Sequence, residues 1–229
     1  MTPVPLLREH KQRMMNTDTA NDTQLQPYKT LRMRNTLFVK YLLVILNIPR
    51  LIPAVVFLLV FRKECEEDVR VNKAWHSCRL PFVAAFCYMM VFEKWFRNVF
   101  YYRIGRYKYL ISFLAPPVST FFIGTYARIG KGFLAVHPYA TNVNAKSIGD
   151  YFTIKNNVTI GENKGGIPVI GNKVTINVNA VVLGDIIIGD NVTVGAGTVL
   201  MKSVPDNCVV VGNPAYILRR DGVLVNEKL

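Results

Sequence analysis

From residue 123 onward, aliphatic side chains return at intervals of six: Ile170, Ile176, Val182, Ile188, Val194 and Leu200. Upstream, Ile148, Ile154 and Ile160 keep the same spacing, and Ile123 and Ile129 begin it. The next residue is commonly glycine, as at Gly124, Gly130, Gly149, Gly161, Gly171, Gly189 and Gly195. Neither the 3.6-residue period of a helix nor the alternation of a strand gives a repeat of six. A hexapeptide repeat does: three short strands and three tight turns close one triangular coil of a parallel β-helix. The aliphatic residue fills the coil interior, and the small residue admits the turn. Two interruptions stand out. Ile160 and Ile170 are ten apart, so four extra residues loop out within residues 162–166, and the register slips by one between Ile129 and Ile148, around His137. Interruptions in a rigid solenoid map to loops on one face, often the working face.

The first half follows no such rule. Residues 1–36 are polar and basic and predict an arm, without the apolar core or cleavage site of a secretory signal. Two apolar runs follow, residues 41–49 and 51–61, together close to the ~20 residues that span a bilayer as a helix. Pro49 and Pro53 interrupt the hydrogen-bond ladder, and a straight spanning helix would bury Arg50 at its costliest depth. The pattern therefore predicts a broken helical hairpin dipping into one leaflet, with a helical pair in a protein core as the alternative. Residues 64–79, carrying Glu64, Glu66, Glu67, Asp68, Arg70 and Lys73, predict a solvated helix. Residues 80–92 are apolar, and 94–109 interleave bases with rings (Lys94, Trp95, Phe96, Arg97, Tyr101, Tyr102, Arg103, Tyr107, Lys108). That mixture suits a membrane interface, or packing against the next domain or another subunit. Pro116-Pro117 closes the helical region. The expected organisation is an arm over 1–36, a helical, membrane-associated region over 37–117, a β-helix with its C-terminal cap over 118–220, and a tail over 221–229.

Composition sharpens this picture. With 51% hydrophobic and 19% charged residues in 229, the chain is not a long disordered one. Of its +13 net charge, residues 1–122 hold 18 basic against 8 acidic (+10), and 123–229 hold 10 against 7 (+3). No zinc-finger spacing, basic zipper or RNA-binding aromatic signature accompanies these bases, so nucleic acid is not expected. Bases flanking apolar stretches fit a membrane surface. Cys65, Cys78, Cys87 and Cys208 have no metal-ligand spacing and read as ordinary thiols of a reducing compartment. No metal is expected. The localisation expected is cytoplasmic, peripheral on the inner face of the cytoplasmic membrane.

Several stretches resemble the hexapeptide-repeat acyltransferases, in particular the serine acetyltransferase-like branch of polysaccharide O-acetyltransferase type. They are residues 129–137 (IGKGFLAVH), 148–161 (IGDYFTIKNNVTIG), 165–174 (GGIPVIGNKV), 188–199 (IGDNVTVGAGTV) and 204–218 (VPDNCVVVGNPAYIL). The resemblance covers about residues 120–220; residues 1–115 do not match the helical domain of true serine acetyltransferases. It implies a left-handed parallel β-helix, a homotrimer with active sites between neighbouring subunits, and acetyl transfer from acetyl-CoA to a hydroxyl.

A neutral hydroxyl attacks a thioester poorly, so the reaction needs a base, and histidine suits neutral pH. Of His10, His76 and His137, only His137 lies at a phase break, and it matches the family's catalytic histidine. Gly165 and Gly166, in the looped-out segment, offer backbone N–H groups for an oxyanion, or are simply a flexible insertion. Ala196 matches a family contact to the cofactor and Gly197 continues its smooth surface, while Lys202, Arg219 and Arg220 are cations available to CoA phosphates or ordinary solvated charge. Two departures matter. True serine acetyltransferases carry Asp immediately before this histidine, where Val136 stands. They also carry a His-Pro-Lys-Ile run where Ile167-Pro168-Val169-Ile170 stands. The resemblance thus implies that acetyl-CoA chemistry is retained and acceptor recognition changed, toward a small-molecule or lipid-linked saccharide. Serine O-acetylation and a non-catalytic trimeric scaffold are the competing readings.

Overall fold

The computed structural model describes residues 26–229, with side chains from Phe38 onward. Residues 1–25 of the expected arm, and His10 with them, lie outside the described residues. The chain groups into two compact units, Met1–Ile45 and Leu46–Leu229. Helix α1 (Gln26–Val60) passes both prolines without ending, which corrects the expected broken hairpin. Pro49 and Pro53 each forfeit one ladder bond. In a helix of 35 residues the remaining bonds suffice, and within the larger unit Leu51, Ala54 and Leu58 seal one face of it.

Three more helices follow: α2 (Arg62–Trp75), α3 (Phe82–Phe92) and α4 (Lys94–Ile104), with a 3-10 turn at Gly105–Leu110. The charged helix α2 is not simply solvated. Cys65, Asp68, Val69 and Asn72, spaced three, one and three residues apart, form a buried stripe. The base-and-ring segment resolves toward packing, because Trp95, Phe96, Arg97, Val99, Phe100, Tyr101 and Ile104 of α4 are all buried. Within the same unit α4 packs on the first coil of the repeat region.

The repeat region is a parallel β-solenoid. Its first coil holds β1 (Phe121–Ile123), β2 (Arg128–Ile129) and β3 (Leu134–Ala135), and its second β4 (Thr141–Val143), β5 (Ser147–Ile148) and β6 (Thr153–Ile154). The third has β7 (Thr159–Gly161), β8 (Val169–Ile170) and β9 (Thr175–Ile176), and the fourth β10 (Val181–Leu183), β11 (Ile187–Ile188) and β12 (Thr193–Val194). The fifth has β13 (Val199–Leu200), a bridge from Ile188 to Val204, and β14 (Cys208–Val211). Strands stack into three sheets, β1-β4-β7-β10-β13, β2-β5-β8-β11 and β3-β6-β9-β12-β14, in parallel register. The period of six is thereby explained. Ile160, Val182 and Leu200 form one buried ladder, and Ile154, Ile176, Val194 and Val210 another.

The Ile-Gly pairs have a second cause. Gly130, Gly149, Gly171 and Gly189 lie at the edge between the second and third sheets, where Asp150, Asn172, Asp190 and Asp206 of the next coil press against them. Each of those side chains accepts a main-chain N–H from the coil before, at Lys131, Asp150, Asn172 and Asp190 (2.7–3.0 Å). A Cβ at any of these glycines would displace that cap.

Both predicted interruptions are present. Residues 162–166 leave the coil, with Asn163 and Gly166 exchanging main-chain hydrogen bonds, and the extra residue of the first coil falls between β3 and β4. The tail expected over 221–229 is instead part of the cap. β15 (Tyr216–Arg220) and β16 (Val223–Lys228) add antiparallel to β14 as a hairpin.

Candidate active site

His137 sits in the turn from β3 to β4, at the edge between the third and first sheets. Its backbone is in the left-handed region (φ 48°), and its carbonyl accepts the Tyr139 N–H at 2.7 Å. Val136 and Pro138 are buried on either side, so the exposed imidazole is presented by a fixed backbone. The ring meets Trp95 of α4 edge-to-face, centroids 4.7 Å apart, and the same indole meets Tyr139 at 5.9 Å. Trp95 is only 8% exposed, and its indole N–H finds no acceptor among the described residues. No carboxylate pairs with His137 among the described residues; Val136 leaves an apolar side chain where a neighbouring acid would stand.

The edge below His137 is a stack of left-handed turns. Asn157 donates its N–H to Tyr139, Asn179 to Asn156 and Gly197 to Val178, at 2.8, 3.2 and 2.9 Å. Asn157 also donates its side-chain amide to Asn179 at 2.8 Å. Ala196 and Gly197, both exposed, therefore share the edge of His137, three coils away or about 14 Å at ordinary strand spacing. Gly197 takes φ 68° with open space where a Cβ would be.

The other sequence-derived residues lie elsewhere. Gly165 and Gly166 are on the edge between the first and second sheets, and Gly166 is required there by packing, because a Cβ would run into Asp185 of the next coil. Lys202 is on that edge too, and its ammonium donates to the Leu229 main-chain oxygen. Arg219 is exposed on the added hairpin, opposite Val209 and Leu224. Within one chain, then, His137, Ala196 and Gly197 share one edge of the solenoid, three coils apart, and Gly165, Gly166, Lys202 and Arg219 lie off it. A cleft of about 400 Å³, lined by Lys63, Glu64, Tyr102, Arg103, Thr125 and Lys131, contains none of these residues.

Two features escaped the sequence reading. One is the Trp95 contact, visible beforehand only as one ring among many in residues 94–109. The other is a polar clamp between helices and solenoid. Asp68 accepts from Arg103 Nε (2.6 Å) and Nη2 (3.1 Å) and from the Phe133 N–H (2.8 Å). Arg103 also donates to the carbonyls of Ile129 and Gly130, and Asn72 to that of Phe133 at 3.0 Å. Burial pushes the Asp68 carboxyl up, against the opposing pull of Arg103 and the Phe133 and Gly132 N–H groups. Burial alone would lower Arg103, yet its bond to the Asp68 carboxylate holds it above the usual guanidinium range. An acid and an amide lying in the apolar stripe of α2 were the available signal.

The family model for bacterial transferase hexapeptides (six repeats) matches residues 167–202. A serine acetyltransferase of Synechococcus elongatus (strain ATCC 33912 / PCC 7942 / FACHB-805) is 36% identical over 122 residues, 51% of this chain and 50% of that protein. WcaB of Escherichia coli (strain K12), named as a candidate colanic acid biosynthesis acetyltransferase, is 49% identical over 96 residues, 40% of this chain and 59% of that one. The chain thus spans half to three-fifths of the length of the curated relatives it matches. Among solved structures, the soybean serine acetyltransferase apoenzyme aligns with TM-score 0.54 and 31% identity, over 69% of this chain and 68% of that one. With the solenoid's coils, its capped Ile-Gly corners and these likenesses in agreement, the chain belongs to the hexapeptide-repeat transferase family.

Proposed function

We propose that this chain is an acetyl-CoA-dependent O-acetyltransferase acting on a saccharide hydroxyl in surface-polysaccharide biosynthesis, with His137 as general base. The observation that carries the reading is the exposed imidazole of His137, fixed by its turn and by Trp95, at the head of an edge on which Ala196 and Gly197 leave a smooth track. Acetyl-CoA supplies an activated thioester. His137 takes the proton of the attacking hydroxyl and returns it to the departing sulfur. Trp95 holds the ring by contact where a carboxylate would hold it by hydrogen bond. Ala196 and Gly197 let the pantetheine arm lie against the coils; Arg219, exposed on the hairpin away from this edge, is assigned to the phosphates of a cofactor that reaches it from a neighbouring copy.

The assembly we propose is a homotrimer. Phe122, Tyr126, Ile187 and Met201 are exposed along the first and second sheets and their shared edge, an apolar surface that a neighbouring copy would cover. Gly165 and Gly166 stand on that edge; the Gly166 N–H already donates to the Asn163 carbonyl, so the oxyanion role falls to the Gly165 N–H and requires the loop of one copy to meet the His137 edge of the next. The acceptor in this reading is a small-molecule or lipid-linked saccharide, and the protein works at the inner face of the cytoplasmic membrane. The names of the Synechococcus and soybean relatives favour a second reading, serine O-acetylation. Val136 and Ile167-Pro168-Val169-Ile170, standing where serine enzymes carry acid and histidine, weigh against it.

The test is release of free thiol from acetyl-CoA by native protein and His137→Ala, offered serine, nucleotide-sugars and lipid-linked sugars. The expected outcome is turnover on a sugar that falls on the order of 10²–10⁴-fold in the variant. Turnover on serine alone would select the second reading, and neither turnover nor CoA binding would leave a trimeric scaffold.

A further inference from the structure

We propose that the face of α1 formed by Ile48, Ile52, Val56 and Leu59, together with Leu110 and Phe113 on the loop that flanks the helix, beds into one leaflet of an anionic bilayer, α1 lying along the surface instead of crossing it. The proposal deepens the membrane reading above and shares with it only the presence of lipid, not the acetyl transfer.

Those four α1 residues recur at intervals of four, four and three and are each between 45% and 55% exposed, whereas Leu51, Ala54 and Leu58 on the other side are closed. The helix is thus two-faced in a way its hydropathy does not reveal, both faces being apolar. Its neighbours are fixed by specific contacts. The Tyr107 ring packs on Phe57 and Phe61 (centroids 5.6 and 5.5 Å), and Arg50 Nη1 donates to the Leu114 carbonyl at 3.3 Å. The 3-10 turn and the loop after it therefore run along the Arg50–Phe57 side of α1, and there Tyr109, Leu110 and Phe113 are each more than 60% exposed. Cations border the same stretch. Arg62, Lys63 and Arg106 are exposed, the Arg106 guanidinium lies over the Tyr107 ring and the Lys108 ammonium over the Tyr109 ring. Aliphatic side chains rimmed by rings and long cations match the depth profile of a headgroup region, and the bases match anionic lipid.

Length alone would let this stretch cross, since Phe38–Val60 is 23 residues with mean hydropathy 2.4. Its attachments argue otherwise. One face is already sealed within the unit that carries the solenoid, and Arg50 is tied to a loop carbonyl that would have to travel with it to the bilayer centre. Immediately beyond Phe61, α2 opens with the exposed Arg62–Glu66–Arg70 ion pairs. An in-plane helix satisfies all three constraints.

The experiment is flotation of the full chain with vesicles of phosphatidylcholine alone, or of equal parts phosphatidylcholine and phosphatidylglycerol, followed by trypsin added outside. Native protein is expected to float with the anionic vesicles and to be cut on both flanks of α1. Ile52→Glu combined with Val56→Glu should lower flotation about tenfold or more, and Phe113→Glu, farther from the helix interior, should lower it in the same direction. Circular dichroism melts of both variants should match native, and acetylation of a water-soluble saccharide by either should stay within about twofold. Unchanged flotation of both variants overturns the proposal, as does protection of one flank from trypsin, which marks a crossing helix. A vesicle-independent oligomer that the double variant dissolves also overturns it, since the face then belongs to a second copy. Flotation as expected with no acetyl transfer leaves this proposal standing and fails the catalytic reading.

Discussion

In the repeat half, aliphatic side chains at the period of six are closed to solvent, as at Ile154, Ile176 and Val194, while Thr153, Thr175 and Thr193 beside them face outward. In the helical half, Ile52 and Val56 of the long apolar helix α1 stand open, and Asp68 and Asn72 of the most charged helix are buried. A solenoid coil makes its own inside, so hydropathy there reports burial directly. A helix has no inside until something packs on it. Hydropathy in the first half therefore reports what each face tolerates, and the partner decides which face is covered.

Four tests sharpen this contrast. The largest effect is expected at Asp68→Ala, which leaves the buried Arg103 guanidinium without its carboxylate. A loss of about 3–5 kcal/mol in denaturant unfolding is expected, whereas Glu66→Ala on the exposed side of the same helix should cost less than about 1 kcal/mol. Equal costs would mean that the clamp does not hold the halves together. Next, Ile176→Ala opens a cavity in a closed coil at about 2–5 kcal/mol, and Ile52→Ala in the free chain should change stability by no more than about 0.5 kcal/mol. A large cost at Ile52 would show that its face is already covered in solution.

Smaller still is the effect expected of Trp95→Leu, which keeps an apolar filler but removes the ring against His137. Here kcat should fall about tenfold, near 1.4 kcal/mol, with the KM for acetyl-CoA little changed and Trp95→Phe restoring most of the rate. A rise in KM with kcat intact would assign Trp95 to binding. Smallest at neutral pH is Cys65, whose thiol burial, aided by the Asp68 carboxylate, pushes up to about 12 against the opposing charge of Arg103. The folded value lies above the ordinary 9.0, so the native state keeps its proton longer than the unfolded chain. The associated stability is present in full below pH 9 and drains away between 9 and 12. Cys65→Ala should flatten that alkaline limb of the stability profile, and a limb unchanged by it would place the titrating group elsewhere.

Part of the candidate site was legible in the sequence. The phase slip around His137 marked the turn that presents it, whereas Ala196 and Gly197 stood out through the family resemblance and the small-residue run at 195–197, and only the stacked coils put them on the edge of His137. Gly165 and Gly166 were visible as an insertion, but the edge they occupy depends on counting strands around the coil, and that edge is not the one of His137. Lys202 looked like a free cation until the hairpin of β15 and β16 brought Leu229 to it. The two prolines of α1 read as a break because local rules count lost bonds, not the packed face that holds the helix on.

What the sequence by itself determined was the solenoid: its period, its two interruptions, the Ile-Gly corners and the place of His137. Each coil repeats the same local bargain between strand, turn and interior side chain, so short-range pattern carries the long-range result. Tertiary structure alone decided that α2 turns Asp68 inward to Arg103, that Trp95 closes on His137, and which face of α1 remains open. Those outcomes depend on which surfaces meet, and helices of similar pattern can meet in many ways. Only the packed chain selects one.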